Sequence, residues 1–226
     1  MPTLTFTSTL GDGMVTGFND TTWAIARSEV SGGSADFLSP SFSPLAQFDT
    51  GALTYNLRRC FVPFVISGIP GGQVITAAVL RLFLTSRSGP DNSSLVFVGP
   101  TTQLSVNSLV AGDFNKAGSL NGPAEIAARV LFTSLILNAY NSFPITDLSV
   151  VPTSGNALIG IRTSHDVDNI SPTGVNTMDF SSADNVNPAQ RPQLDVTFAP
   201  ASVPGVGGGV FRRRMHLSRL RRGLFG

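Results

Sequence analysis

The sequence predicts an all-β protein, a jelly roll or β-sandwich, that carries a flexible basic C-terminal arm. Charged residues make up only 13% of the chain, which has 23 glycines and 15 prolines. Such a composition is typical of short strands joined by many turns. Apolar and polar residues alternate with a period of two in several segments, as expected of half-buried strands. Six of the 15 basic residues lie after Phe211, behind a segment rich in glycine and proline.

The first quarter of the sequence predicts short strands and a long excursion. Leu4 and Phe6 alternate with threonines, so residues 3–8 are predicted to form a strand. The segment TTWAIA at 21–26 is interpreted as a second strand. Residues 31–54 are rich in Ser, Gly and Pro, which indicates a surface excursion with short strand pieces. The N-terminal residues lack the basic and apolar regions of a signal peptide, so none is expected.

The central block of the sequence gives the strongest strand signal. Residues 57–66 form a long apolar run, 67–72 predict a turn, and 74–84 predict the next strand. Leu80, Leu82 and Leu84 share one face of that second strand. Both strands carry apolar residues on both faces in part, as expected at the centre of a sandwich. A further strand is predicted at 95–98.

The second half predicts further strands after a less regular stretch. Residues 106–118 indicate a loop with a short helical turn, and GPAEIAARV at 122–130 predicts a brief helix with Pro123 near its first position. Strands are then predicted at 130–137, 143–148, 157–163, 175–182 and 193–198. About ten short strands separated by turn signals are typical of a sandwich or jelly roll.

The charges divide the chain into three parts: a domain at 1–198, a Gly/Pro linker at 199–210 and an arm at 211–226. The domain has nine basic and 14 acidic residues, a net charge of −5, and the arm has six arginines and no acidic residue. An asymmetry of this size between segments usually marks an interaction arm. No apolar run reaches the roughly 20 residues of a membrane span.

The central landmarks of the sequence are an arginine and aromatic strand, an Ile-Pro-Gly turn and a strand of the form I-x-x-A-x-L-x-L. The residues that form them are Arg59, Phe61, Phe64, Ile69, Pro70, Ile75, Ala78, Leu80 and Leu82. In this order they resemble the DNRLRE-type jelly-roll module of bacterial surface proteins and phage virion proteins, and the resemblance covers residues 12–198. The chain departs from the pattern at Val65, where the family usually has Asp.

The resemblance implies a structural or adhesive role and supplies no catalytic residues. A module without a signal peptide and with a basic tail looks more like the virion members than the secreted ones. The expected function is therefore a non-enzymatic structural protein of a phage particle, made in the host cytoplasm. Capsid decoration and attachment at the head or tail both fit.

The arm supplies the candidate partner-binding residues. Leu217, Leu220 and Leu224 follow Val210 at helical spacing, with arginines on most other positions, which gives a basic amphipathic segment. The candidate set is Phe211, Arg212, Arg213, Arg214, Met215, Leu217, Arg219, Leu220, Arg221, Arg222, Leu224 and Phe225.

Three uses of this arm compete. It docks on an acidic protein groove, contacts packaged nucleic acid through phosphates, or acts as a disordered solubilising end. The apolar residues favour docking on another virion protein, a major capsid, collar or tail component. The protein is expected to be present in several copies in the particle or to form a homo-oligomer. A membrane partner is not expected.

Catalytic and metal-binding residues are poorly represented. His165 stands beside Asp166, but the other histidine, His216, lies in the arm, and adjacent strand residues point to opposite faces. A turn role is therefore predicted for the pair. Asp166, Asp168 and Asn169 resemble a calcium loop without its glycine and glutamate. The sequence thus predicts no enzyme, no metal and no cofactor.

The remaining polar and sulfur-containing candidates are given structural roles. Arg59 and Arg162 are predicted to pair with a carboxylate or to cap loop carbonyls, and Cys60 to be a buried apolar side chain. The alternative function is a carbohydrate-binding or adhesion module that contacts the host surface. Its aromatic platform would have to come from Trp23, Tyr55 and Tyr140, although the neighbours of Trp23 favour the core.

Overall fold

The computed structural model describes residues 1–89 and 92–201, so the candidate arm at 211–226 lies outside the described residues. Two antiparallel sheets form the body, which confirms the all-β class. Sheet A consists of β1 (Thr3–Thr7), β4 (Ser41–Phe42), β7 (Gln73–Ser88), β10 (Ala139–Ile145), β12 (Thr177–Ser181) and β13 (Gln193–Pro200). Sheet B consists of β2 (Gly13–Thr16), β3 (Ser34–Asp36), β5 (Leu45–Asp49), β6 (Thr54–Ile66), β8 (Ser94–Val98), β9 (Val130–Leu131) and β11 (Gly155–Thr163).

In residues 1–89 and 92–201, helical structure is confined to short segments. The α-helices are α1 (Trp23–Ser28) and α2 (Ser164–Asp168). Short stretches of 3₁₀-helix occur at Ala111–Lys116, Phe132–Ser134, Leu148–Val150 and Pro188–Gln190.

Strand β7 organises sheet A. It pairs with β13 along residues 73–81, with β10 along 78–84 and with β12 along 84–88. Leu80, Leu82 and Leu84 are fully buried on the face toward sheet B, as predicted from their alternation. The opposite face, with Arg81 and Phe83, is only half-buried and forms the outer surface of sheet A.

Strand β6 organises sheet B, and its apolar run is buried on both faces. Cys60, Val62 and Phe64 face the core that lies between the two sheets. Leu57 and Phe61 face a second core, which α1 and the loops around residues 109–117 build over the outside of sheet B. Because both faces of β6 are covered, neither face needs polar side chains, and this explains its continuous apolar sequence.

The strand predicted at 21–26 is wrong, because this segment forms α1. Trp23, Ala26 and Arg27 all point inward, and their i, i+3, i+4 spacing is that of a helix. Trp23 packs in the second core, as its neighbours suggested. Contacts of this face with sheet B therefore override the β-like appearance of the sequence TTWAIA.

The helix predicted at 122–130 is also wrong. Ile126 and Ala127 are both buried although they are adjacent, a pattern that an extended segment satisfies. Isolated bridges join Glu125 to Val98 and Ala127 to Ile145, so the segment runs between the sheets. The helical turn predicted within 106–118 is confirmed at Ala111–Lys116.

The predicted later strands are present with different bounds. The prediction at 130–137 is correct only for β9, since a 3₁₀ turn follows at Phe132–Ser134. The strand expected at 143–148 is β10, which begins at Ala139 and ends at Ile145. Strands β11, β12 and β13 lie within three residues of the predicted bounds at each end.

Candidate functional site

The most highly charged buried place in the described structure lies in the second core, outside sheet B. Arg27 of α1, Arg59 of β6, Arg162 of β11 and Asp166 of α2 meet there, and we call these four residues the arginine–aspartate cluster. All four are buried, and Arg162 and Asp166 are 0% exposed. Buried charges of this kind need partners for every polar atom.

The Asp166 carboxylate is the centre of the cluster. Its Oδ2 accepts hydrogen bonds from Arg59 Nε at 2.8 Å and from Arg162 Nε at 2.6 Å. Its Oδ1 accepts from Arg59 Nη2 at 2.9 Å. Arg27 Nε lies 3.7 Å from Oδ1 and donates to the Asp166 backbone carbonyl. Both carboxylate oxygens are therefore engaged by guanidinium groups.

Three cations surround one anion, and backbone carbonyls and the Asn121 side chain accept further hydrogen bonds from the guanidinium groups. Arg162 Nη1 donates to Ser119 O at 2.7 Å, and Arg27 Nη2 donates to Leu120 O at 2.7 Å. Arg59 Nη1 donates to Phe114 O at 3.2 Å, and its guanidinium lies 4.3 Å from the centre of the Phe114 ring. The cluster thus holds the 114–120 segment against sheet B.

The pKa values follow from burial and from these charges. Burial by itself would raise the pKa of the Asp166 carboxyl, but the charges and hydrogen bonds of Arg59 and Arg162 outweigh it and hold that pKa below its ordinary value. Burial lowers the pKa of the Arg162 guanidinium, while Asp166 opposes that change. The cluster is consequently an ionised, hydrogen-bonded unit at neutral pH.

The predicted partners of Arg59 and Arg162 are confirmed, since both bind a carboxylate and loop carbonyls. Sequence reasoning did not find that Asp166 is this carboxylate, nor that Arg27 joins it. The inward spacing of Trp23, Ala26 and Arg27 was the signal that could have placed Arg27. Asp166 gave no such signal, because its role depends on a short helix that brings it back over β11.

His165 and Asp166 lie in a helix and not in the turn that was predicted. The Asp166 carboxylate turns to the arginines, whereas His165 Nδ1 lies 2.9 Å from the Ile170 carbonyl oxygen. Asp168 pairs with Arg129, with Nη1 2.6 Å from Oδ2. The carboxylates of the suspected calcium loop therefore point to different partners.

A surface cleft of about 280 Å³ lies beside α2. Its lining residues are Asn92, Ser93, Ser164, His165, Ile170 and Thr173. The Ser164 hydroxyl accepts a hydrogen bond from Ser94 N–H at 2.9 Å, and this bond ties α2 to β8. The cleft joins a histidine to hydroxyl groups, but Asp166 does not face it.

Two further carboxyl groups have strongly shifted pKa values. Burial raises the pKa of Asp12 to about 7, although Ser8 Oγ and Ala183 N donate to it. Burial, followed by the hydrogen bond of Asp20, raises the pKa of Glu29 to about 7. Asp20 Oδ2 is buried without a hydrogen-bond donor among the described residues, and the protonated form of Glu29 can donate to it. Both sites join loops to the ends of neighbouring elements.

The outer face of sheet A is open to solvent and carries one of the three aromatic candidates. Tyr140 lies there against Phe83, with ring centres 5.5 Å apart, and the Arg81 guanidinium stacks 4.7 Å from the Tyr140 ring centre. Of the other aromatic candidates, Trp23 is 8% exposed. The Tyr55 ring packs between Trp23 and Phe48. The three rings therefore do not form a common platform.

Within residues 1–89 and 92–201, no helix is long and apolar enough to cross a membrane. Over the same ranges, no group of three or more His, Cys, Asp or Glu side chains is placed to hold a metal ion.

No protein-family model matches the chain, and a search of the curated proteins finds no match. The resemblance to the DNRLRE-type module therefore stays a prediction. The described geometry gives the arginine–aspartate cluster a structural task, because the carboxylate and the guanidinium groups bind one another and the surrounding backbone.

Proposed function

We propose that this chain is a non-enzymatic jelly-roll protein of a phage particle, present in several copies. Its body is the exposed unit, and the arm at 211–226 attaches it to another virion protein. Major capsid, collar and tail components are the candidate partners. Protein docking takes precedence over nucleic acid contact, because a segment that bound phosphates alone would not need leucine and phenylalanine side chains.

The observation that carries the proposal is the separation of charge along the chain. Residues 1–198 have a net charge of −5, and the arm has six arginines without an acidic residue. The three arginines of the arginine–aspartate cluster are buried around Asp166, so they do not contribute to a basic surface. The arm is therefore the part of the sequence in which arginines are concentrated without acidic residues between them.

The jelly-roll connectivity belongs to the same proposal. The chain passes from sheet B to sheet A and back in the sequence β6, β7, β8, and from sheet A to sheet B and back in β10, β11, β12. Successive strands that alternate between two facing sheets are typical of double-sheet jelly rolls.

Truncation after Ala201 tests the attachment role. We expect the truncated chain to fold, because β13 is complete at Pro200, and to be absent from purified particles. Incorporation is measured by immunoblot of particles from cells that supply the full-length or the truncated chain. Full occupancy by the truncated chain would contradict the proposal.

A matched arm variant separates protein docking from phosphate binding. Leu217, Leu220 and Leu224 are changed to serine, while all six arginines of the arm stay. Docking in an apolar groove predicts that this variant is lost from particles like the truncation. Retention of the variant would instead assign the arm to nucleic acid.

The alternative, a carbohydrate-binding module, has less support from the geometry. It needs exposed aromatic rings, and of its three candidates only Tyr140 lies on the open face of sheet A, where it is half-buried. Its hydroxyl already donates to the Arg191 carbonyl oxygen at 2.7 Å. The virion proposal is therefore preferred.

A further inference from the structure

Strand β1 is an edge of sheet A with unusual properties for an edge. In the described part of the chain it pairs with β13 alone, and its five residues, TLTFT, contain no charge and no proline. The terminal strands β3, β4 and β9 have three residues or fewer, and β5, a five-residue edge that pairs with β6, carries the charged Asp49. Strand β10 carries Pro144 and is bridged at Ile145 by Ala127. Charged residues and proline are common protections of sheet edges, and β1 has neither.

The hydrogen-bond pattern shows which groups of β1 face outward. Phe198 N–H donates to Pro2 O at 3.2 Å, and Ser8 N–H donates to Pro192 O at 3.1 Å. Bonded and non-bonded pairs alternate in an antiparallel ladder, so even-numbered residues of β1 bond to β13. The backbone N–H and C=O groups of Thr3, Thr5 and Thr7 therefore point to the open edge.

The side chains of β1 divide cleanly between the two faces of sheet A. Leu4 and Phe6 point inward but are only half-buried, and Phe6 packs against the core between the sheets. The threonines lie on the outer face, where Thr3 and Thr197 share a hydrogen bond of 2.9 Å. An additional strand beside β1 would complete the cover of Leu4 and Phe6.

We propose that β1 is a self-association strand, which pairs antiparallel with β1 of a second copy about a two-fold axis through Thr5. The pattern of threonine and apolar residues is symmetric about Thr5. In this register Thr5 faces its own copy, Thr3 faces Thr7, and Leu4 faces Phe6. Apolar residues then meet on the inner face, threonines meet on the outer face, and the outward backbone groups bond to each other. A closed two-fold contact requires this kind of self-complementarity.

The charges near the two-fold axis and the length of β1 determine the expected strength of this contact. The nearest carboxylate to the axis, Asp195, accepts from Thr5 Oγ1 at 2.6 Å and pairs with Arg81, so no unpaired like charges face each other. A five-residue strand extends only about 17 Å, which is short for the roughly 1,200 Å² that stable complexes bury. We expect a weak dimer in solution that becomes significant where copies are held close together. The inference rests on the sheet edge and not on the proposed function of the arm.

Sedimentation equilibrium of the full-length chain tests the proposal over a range of concentrations. The wild type is expected to shift from monomer to dimer as its concentration rises. Thr5→Pro removes the outward N–H at the axis and leaves the bonds of Leu4 and Phe6 to β13, so the dimer is expected to weaken about tenfold. Circular dichroism checks that the variant is folded. A wild type that stays monomeric up to about 1 mM, or an unchanged dimer in a folded Thr5→Pro variant, overturns the proposal.

Matched lysine variants locate the contact. Thr5→Lys places two ammonium groups across the axis and is expected to abolish the dimer. Thr197→Lys makes the same change on the same face but one strand inward, and it is expected to leave the dimer intact. Equal effects of the two changes would contradict pairing at the β1 edge.

Cross-linking gives a direct test of the register. The native cysteine, Cys60, is buried, so a cysteine placed at residue 5 reacts selectively with a short bis-maleimide. Thr5→Cys is expected to give covalent dimers, and Ser142→Cys, on the exposed side of β10, is not. Equal yields from the two variants, or no dimer from Thr5→Cys, would exclude the proposed axis.

Discussion

Replacing Asp166 with asparagine removes the carboxylate of the arginine–aspartate cluster while keeping its size. Three hydrogen bonds from guanidinium groups converge on Asp166, at 2.6, 2.8 and 2.9 Å. The amide retains one acceptor oxygen and turns an NH₂ group toward the arginines. Arg27, Arg59 and Arg162 would then be buried without an anion.

The expected loss is large because all four residues of the cluster are buried. Breaking a buried ion pair by removing one partner costs about 3–5 kcal/mol in the free energy of unfolding. For a domain of this size each kcal/mol lowers Tm by about 2–4 °C, so Tm is expected to fall by about 6–20 °C. Since a domain has about 5–15 kcal/mol in total, the variant is at the margin of folding.

Urea denaturation at pH 7 and calorimetry measure this loss, with Asp168→Asn as the control. Asp168 and Arg129 form a comparable ion pair, but about a third of each side chain is exposed, so the control is expected to lose less than about 1 kcal/mol. Loss of less than about 1 kcal/mol by Asp166→Asn would refute the reasoning.

The pH dependence provides an independent check. The folded pKa of Asp166 lies below its ordinary value of 3.8, so its contribution is present above that pH and is lost as pH falls through the folded pKa. The difference between the wild type and Asp166→Asn should therefore shrink in acid.

Two further predictions concern buried titratable groups. The pKa of Asp12 is raised from 3.8 to about 7, so folding favours its protonated form, and its contribution to stability is lost as pH rises from about 4 to about 7. Urea denaturation at pH 5 and pH 8 should show a smaller pH dependence for Asp12→Asn than for the wild type, and an equal dependence would contradict the assignment. Burial raises the pKa of the Cys60 thiol well above its ordinary value. Cys60 should therefore react with a thiol reagent at pH 8 only after unfolding in guanidinium chloride, and stoichiometric reaction of the native chain would show that it is accessible.

The strands that could be predicted are those whose own sequence carries the pattern. Leu80, Leu82 and Leu84 alternate strictly, and the apolar run of β6 is longer than a loop would tolerate. Both patterns are local, so they predict a strand without knowledge of its partner strands.

The errors fall where tertiary contacts decide the local structure. Helix α1 has six residues, too few for helical periodicity to exceed a β-like composition. Residues 122–130 contain good helix formers, but Ile126 and Ala127 are both drawn into the space between strands. In both segments the deciding contacts come from distant parts of the chain.

The arginine–aspartate cluster could likewise be predicted only in part from the sequence. The roles of Arg59 and Arg162 followed from a general rule, that arginines inside strands need an anion or carbonyl groups. The identity of that anion required the position of α2. The function of the arm rests on composition and stays a prediction.

The arginine–aspartate cluster also has a consequence for how the chain folds. Arg27 and Asp166 are 139 residues apart, so their contact forms only when distant segments of the chain have come together. An incomplete fold that buried these guanidinium groups early would hold unpaired cations among phenylalanine and valine side chains. Such intermediates are unfavourable, and the body is therefore expected to open and close as one cooperative unit, with few partly open forms for a protease to cut.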